Sequence, residues 1–355
     1  MTKNLPYILI AFGVAGLVAF LSFFDLYETI ENKLLDMRFK NRGLMETRND
    51  IATVDIDDIA LRDVGRWEPW SRDKHIPLVR AADEHDMDAF LFDIYFIEES
   101  ERELNIKDLD KIEDSILTKS QLKKSFSNPD SVLADAAEKA GNIIFAQKLT
   151  PQPKKKKPLE PRTDVKNTRL ALLEQEGYVR KIDNPAKFST IFDFYDIEIP
   201  LESLIKKGNG VYYFQGNSDP DGVARKYPLI GLYDNRLFPS AALAIALDHY
   251  GVSFNEIDIE PGKHIRFDLP PDESGNTKED EYGRSEIIIP INEKGMMQVN
   301  WAGPWEDKVT AEFDVMHYPY TVIKRFQEIE HSNFVLANYK RLANQSFNGN
   351  IKATL

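Results

Sequence analysis

The stretch YILIAFGVAGLVAFLSFF, Tyr7 to Phe24, constrains this chain more than any other, because it holds no charge and only Ser22 as a polar side chain. At about 18 residues it reaches the lower limit for a helix crossing a hydrocarbon core of ~30 Å. A cleaved signal peptide would need small residues after the apolar run. Here Leu21-Ser22-Phe23-Phe24 runs straight into Asp25. The stretch therefore reads as an uncleaved signal anchor. Lys3 places its start in the cytoplasm, whereas Lys33, Arg38, Lys40 and Arg42 after the span pull the other way.

The segment that follows, DLYETIENKLLDMRFKNRG, has Leu26, Ile30, Leu34 or Leu35, and Phe39 near helical spacing. It reads as an amphipathic juxtamembrane helix ended at Gly43, and a homodimer through this helix is the expected assembly.

Beyond it the pattern changes to alternating strands and helices. IATVDID (51–57) reads as a strand, SRDKHIPLVRAADEHD (71–86) as a helix with Ser71 at its cap, and AFLFDIYF (89–96) as a strand broken only by Asp93. DSVLADAAEKAGN (130–142) is a second helix, ended at Gly141, and NIIFAQKL is a third strand. Strand, helix, strand predicts right-handed parallel βαβ units. Later the strand-like runs VYYFQG, YPLIGLY, HIRFDL, EIIIPI and MMQVNWA surround one helix, FPSAALAIALDHYG, bounded by Ser240 and Gly251. The expected fold is α/β, a mixed sheet with N-terminal parallel βαβ units and a β-rich second half, preceded by one transmembrane helix. Two charged or Pro- and Lys-rich segments, 98–128 and 150–187, read as insertions, the second as mobile.

A net charge of −13 excludes nucleic acid as a partner, since phosphates select clustered Lys and Arg. The one dense basic run, Lys154 to Lys157, lies between Pro153 and Pro158 and reads as a solvated loop. Without a single cysteine the chain has no disulfide and no thiolate metal site. Its six histidines are scattered, with no spacing that suggests zinc. No cofactor, metal site or catalytic residue is expected.

The acids Asp55, Asp57, Asp58 and Asp93 fall on or just after strands expected to be adjacent and parallel, where ligands of open α/β sheets bind. Their chemistry leaves three readings open: pairing with Arg72 and capping the next helix, holding an ion or small ligand, or serving a metal-dependent hydrolase through Asp55, Asp57 and Asp93. Asp93 interrupts an apolar strand, so a buried pair with Arg72 is the expected structural solution. In GRWEPWSR, Trp67 and Trp70 either cover a core edge or form a stacking lid beside Arg72. SDPDGVARKYPL (218–229) is a turn by its chemistry, with Pro220 presetting φ and Gly222 accepting a positive φ. Its Arg225 is expected to tie the second half to acids of the first, or else to line a pocket there with Asp221.

Six stretches together carry a family likeness: DMRF (36–39), VDIDDIALRDVGRWEPWSR (54–72), FLFDIYF (90–96), DPDGVARKYPL (219–229), FPSAALA (238–244) and MMQVNWAGP (296–304). In this order the chain resembles the second class of CHASE domains, extracellular sensory modules joined to cyclases and kinases in bacteria. The resemblance implies an anchor at 1–25, a juxtamembrane helix at 26–43 and an extracytoplasmic sensory domain at 44–355. It further implies a location in the inner membrane with a single pass, an unknown small-molecule or protein stimulus, and regulation of a class III adenylate or guanylate cyclase or a kinase. Read from their positions rather than from the resemblance, the residues a ligand is expected to meet are Asp57, Asp58, Trp70, Arg72, Asp93, Asp221 and Arg225. An anchored scaffold for a partner protein is the remaining alternative. FNGNIKATL (347–355) resembles the start of the next strand in relatives, so the family's final segment and returning helices are missing, as expected of either a truncated product or a chain whose effector is a separate polypeptide.

Overall fold

The computed structural model describes residues 5–21, 25–43, 45, 50–65, 70–85, 87–100, 128–153, 155–216, 218–219, 221–272, 274–275, 277–280, 282–301 and 316–330. The chain divides into two compact units, one containing helices α1 (Leu5–Leu21) and α2 (Asp25–Arg42), the other the chain from Val54 to Val299 with the C-terminal helix. Within the first unit, α2 ends where Arg42 donates to the Asn300 side chain and the Trp301 carbonyl, its guanidinium over the Phe39 ring.

Helix α1 is apolar all round, with Tyr7, Leu9, Ile10, Phe12 and Phe20 all exposed. Its 17 residues rise about 26 Å. Among the described residues no helix is long and apolar enough to cross a membrane; residues 22–24, the end of the expected span, lie outside them.

The second unit is a mixed α/β body with several small sheets rather than one. Its parallel sheet has the order β2-β3-β7: β2 (Phe90–Leu91), β3 (Ile143–Ala146) and β7 (Gly210–Tyr212). Phe90 pairs with Ile143 and Phe145 with Val211. The crossover from β2 to β3 runs through a helix at Pro129–Ala140. The sequence specifies that helix closely. The Asn128 side chain accepts from the amides of Asp130 and Ser131, Pro129 opens the first turn, and Gly141 closes it at φ 74°. A separate antiparallel pair joins β4 (Lys148–Pro151) to β6 (Phe194–Glu198).

The strand expected at 51–57 is observed as β1 (Ala52–Asp55), yet it pairs with β15 (Met316–Pro319) and not with β2. The first expected βαβ unit is therefore corrected. Between β1 and β2 come α3 (Asp58–Val64) and α4 (Ile76–Glu84), the latter entered by a 3-10 turn at Arg72–His75. The Pro129–Ala140 helix is α5. Residues 101–127 of the first expected insertion lie outside the described residues. The second insertion carries α6 (Asp164–Gln175), which buries Leu170, Leu172 and Leu173 in the main core. There α4, α5, α6 and α7 (Glu202–Lys207) supply side chains to the core around Phe145, itself fully buried.

A second core gathers under α8 (Ala241–Tyr250), with Leu243, Leu247, Phe254 and Phe267 among its members. The expected caps hold, Ser240 accepting from the Leu243 amide and Gly251 adopting φ 70°. Two antiparallel sheets contribute to this core, β5-β10-β9 and β11-β12-β13. The first consists of β5 (Arg180–Lys181), β10 (Arg236–Pro239) and β9 (Ile230–Tyr233), the second of β11 (Asp258–Glu260), β12 (His264–Asp268) and β13 (Glu286–Pro290), with β5 and β11 each at one edge. Helix α9 (Tyr320–Glu330) returns to the main core, where the Tyr320 hydroxyl donates to the Lys74 carbonyl at 2.5 Å and Arg325 reaches Asp63 at 2.9 Å.

Candidate functional site

The acids expected to converge are dispersed. Asp57 is the N-cap of α3, its carboxylate accepting from the Ala60 amide at 2.9 Å, and Asp58 occupies the first turn, where a negative charge suits the helix dipole. Trp70 is buried, its indole donating to the Gly65 carbonyl at 3.0 Å and its ring 5.3 Å from that of Tyr320. Trp67 lies outside the described residues. Among the described residues no group of three His, Asp or Glu side chains is placed to hold a metal ion.

Arg72 does not pair with Asp93. Its Nε lies 3.4 Å from Asp130 at the start of α5, its Nη2 donates to the Glu98 carbonyl at 2.8 Å, and its guanidinium sits 4.8 Å over the Phe96 ring. Asp130 also accepts from the Ser100 amide at 2.9 Å. Burial lowers the Arg72 pKa and raises that of Asp130, although each charge favours the other. Both therefore lose more to desolvation than the pair returns, the usual balance for an ion pair of low exposure. Asp93 is exposed, because the chain leaves the sheet after Phe92 donates to the Ile144 carbonyl. Partial desolvation still raises its carboxyl pKa.

What does gather at the carboxyl end of β2-β3-β7 is a polar set contributed by all three strands. Tyr95 stacks on Phe214 at 5.8 Å, with its hydroxyl pKa raised by burial first and by the charges of Asp93 and Glu198. Lys148 answers Glu198 at 3.4 Å, and the Gln215 side chain accepts from the Leu149 amide. Gln147 is fully buried; its Nε2 donates to the Val211 carbonyl while its Oε1 has no hydrogen-bond partner among the described residues.

The DPDG loop is a turn, with the Gly222 amide donating to the Asp219 carbonyl at 2.8 Å and φ of 83° at Gly222. Arg225 is 1% exposed and closes on its own loop, correcting the expectation that it reaches acids of the first half. Its Nη1 meets Asp219 at 2.8 Å, and the two Nη atoms grip Asp221 in a fork at 2.9 and 2.8 Å. The Arg225 carbonyl accepts from Val299 and Gln298, which fixes the loop to the strand pair β8 (Lys226–Pro228) and β14 (Met296–Gln298).

A groove of about 280 Å³ lies between the β5 and β11 edges, its lining including Arg180, Lys181, Lys187, Asp258, Phe188 and Ile257. Sequence reasoning missed it. Strand β5 has only two residues, too few for an alternation to show, and it follows a Lys-rich stretch that reads as loop.

A model of the CHASE2 domain family matches residues 11–338 of the chain. No curated protein and no solved structure matches it.

Proposed function

This chain belongs to the CHASE2 domain family, the extracellular sensory domains of signalling proteins, and we propose that it is the membrane-anchored sensing part of one that governs a class III nucleotide cyclase or a kinase. The family match over residues 11–338 carries the reading. CHASE2 domains are sensory and non-catalytic, so this chain passes a signal on rather than transforming a substrate. The character of α1 supports the anchor. A helix with apolar residues exposed on every side needs a non-aqueous surrounding, and residues 7–24 supply the length. We place the bulk of the chain outside the cytoplasm, held by a single pass of the inner membrane. Fusions of alkaline phosphatase and of green fluorescent protein to the end of the full chain test this. Active phosphatase and dark fluorescent protein are expected, and the opposite pair would overturn the orientation.

Dimerisation through α2 completes the reading. Ile30, Leu34 and Met37 are exposed and stand at i, i+4 and i+7, the spacing of a coiled-coil seam. The absence of native cysteine makes the check direct. Under mild oxidation in membranes, Leu34→Cys is expected to form a disulfide-linked dimer, and Asn32→Cys, on the opposite face of the helix, is not. Equal cross-linking at both positions would remove the seam.

A further inference from the structure

Neither Arg180 nor Lys181 has a carboxylate within ion-pair distance among the described residues, and of the two Arg180 is the less exposed. Its Nη1 donates to the carbonyls of Ile257 at 2.9 Å and Phe254 at 3.4 Å, and its guanidinium lies 5.3 Å from the Phe254 ring. Those contacts aim the guanidinium without neutralising it. Asp258, the nearest acid by its electrostatic effect, is shared among Lys187 at 3.9 Å, His264 at 3.5 Å and Arg266 at 3.8 Å. Burial accordingly lowers the Arg180 pKa, with Asp258 offsetting only part of the cost. Lys181 and Lys187 add two exposed positive charges at the rim of the groove. In the same lining Ile182, Phe188, Ile257 and Ile259 are buried and apolar.

We propose that this groove binds a small organic acid, its carboxylate taken by the Arg180 fork and its apolar part laid on Phe188 and Ile257. A planar guanidinium matches a carboxylate with two parallel hydrogen bonds, and the contact is stronger where water is scarce. The acids Asp183 and Asp258 in the lining disfavour a phosphate dianion, which would meet each of them with twice the charge. The volume of about 280 Å³ falls just below the range of drug-sized ligand sites, about 300 to 1,000 Å³, which suits only a small molecule. In a chain with a net charge of −13 such a groove is a local exception where an organic anion can settle.

This inference deepens the sensory reading and rests on it for its meaning, but the binding itself needs no effector to be seen. The test is calorimetric titration of the full chain in detergent micelles with benzoate, benzamide and inorganic phosphate. Benzoate is expected to saturate below about 10 mM, with benzamide and phosphate at least about tenfold weaker. Arg180→Lys keeps the charge and loses the fork, and is expected to raise the benzoate Kd about tenfold. Lys187→Gln, at an exposed site where folding is not at stake, is expected to raise it about threefold. No saturation with benzoate, equal binding of benzamide, a preference for phosphate, or an unchanged Kd in Arg180→Lys would each overturn the proposal. Any of these would leave the orientation and cross-linking tests of the sensory reading untouched.

Discussion

Replacing Asp219 and Asp221 together by alanine is expected to cost about 3–5 kcal/mol of stability, because it strands a buried guanidinium without its counter-ions. Arg225 is 1% exposed, while the side chains of Asp219 and Asp221 are 16% and 36% exposed. The acids can reach water when their partner is lost, but the arginine cannot. Of the single changes, Asp219→Ala should therefore cost more than Asp221→Ala, whose exposed carboxylate is already screened by solvent. Adding Arg225→Met to the double variant removes the stranded charge and keeps much of the volume. It is expected to recover a good part of the loss, since apolar replacement of a whole buried ionic group is often close to neutral. Urea unfolding of the full chain in micelles gives the comparison. A triple variant no more stable than the double one would show that the loop is held by something other than this charge balance.

The second large effect is acid sensitivity centred on His75. Its ring is 1% exposed, set among Trp70, Phe92 and Phe96, with ring centroids 6.0, 5.7 and 5.2 Å away. Burial first, and the nearby Arg72 charge second, pull its pKa from 6.5 down to about 4, with Asp73 opposing them. Above pH 6.5 both folded and unfolded chains carry a neutral imidazole and His75 contributes no pH dependence. Between pH 6.5 and about 4 the unfolded chain takes up a proton that the folded chain refuses, so stability falls with pH across that window. The full loss is roughly 3 kcal/mol by the usual conversion of pKa shift to free energy. Asp130 and Asp93, whose pKa values are raised, act with the opposite sign and favour the folded state as acid is added. The difference between wild type and His75→Phe isolates the histidine. Identical pH slopes in the two proteins would rule out the neutral buried ring as the cause.

Helices α5 and α8 are legible in the sequence because their ends are written in chemistry that acts locally. Asn128, Pro129 and Gly141 bound the first, Ser240 and Gly251 the second, and each residue works within a few positions of itself. The DPDG turn is legible for the same reason. Pairings that depend on distant chain are not. The order of elements points Arg72 toward Asp93, and only the approach of α5 brings Asp130 to it instead. Strand β1 carries the apolar pattern of a strand but nothing that names β15 as its neighbour. FLFDIYF reads as one long strand, yet the last bond to β3 is made by the Phe92 amide, which leaves Asp93 exposed. Of the candidate ligand residues, Asp57 and Arg225 are bonded within their own local structure. The groove around Arg180 is assembled from two sheet edges that are far apart in the chain, and no local pattern announces it.

Helix α9 has a consequence for how the domain comes into being. Its Tyr320 closes on Lys74 and its Gln327 on Glu84, contacts that span 246 and 243 residues. Folding that rests on such distant contacts is slow, because the chain must find them against the entropy of a very long loop. The ribosome also imposes a delay of its own. At about 5–20 residues per second, roughly 10 to 50 s pass between the emergence of Lys74 and that of Tyr320. For that interval the nascent chain presents the side of α4 that α9 will later cover, and a holding chaperone would find its substrate there.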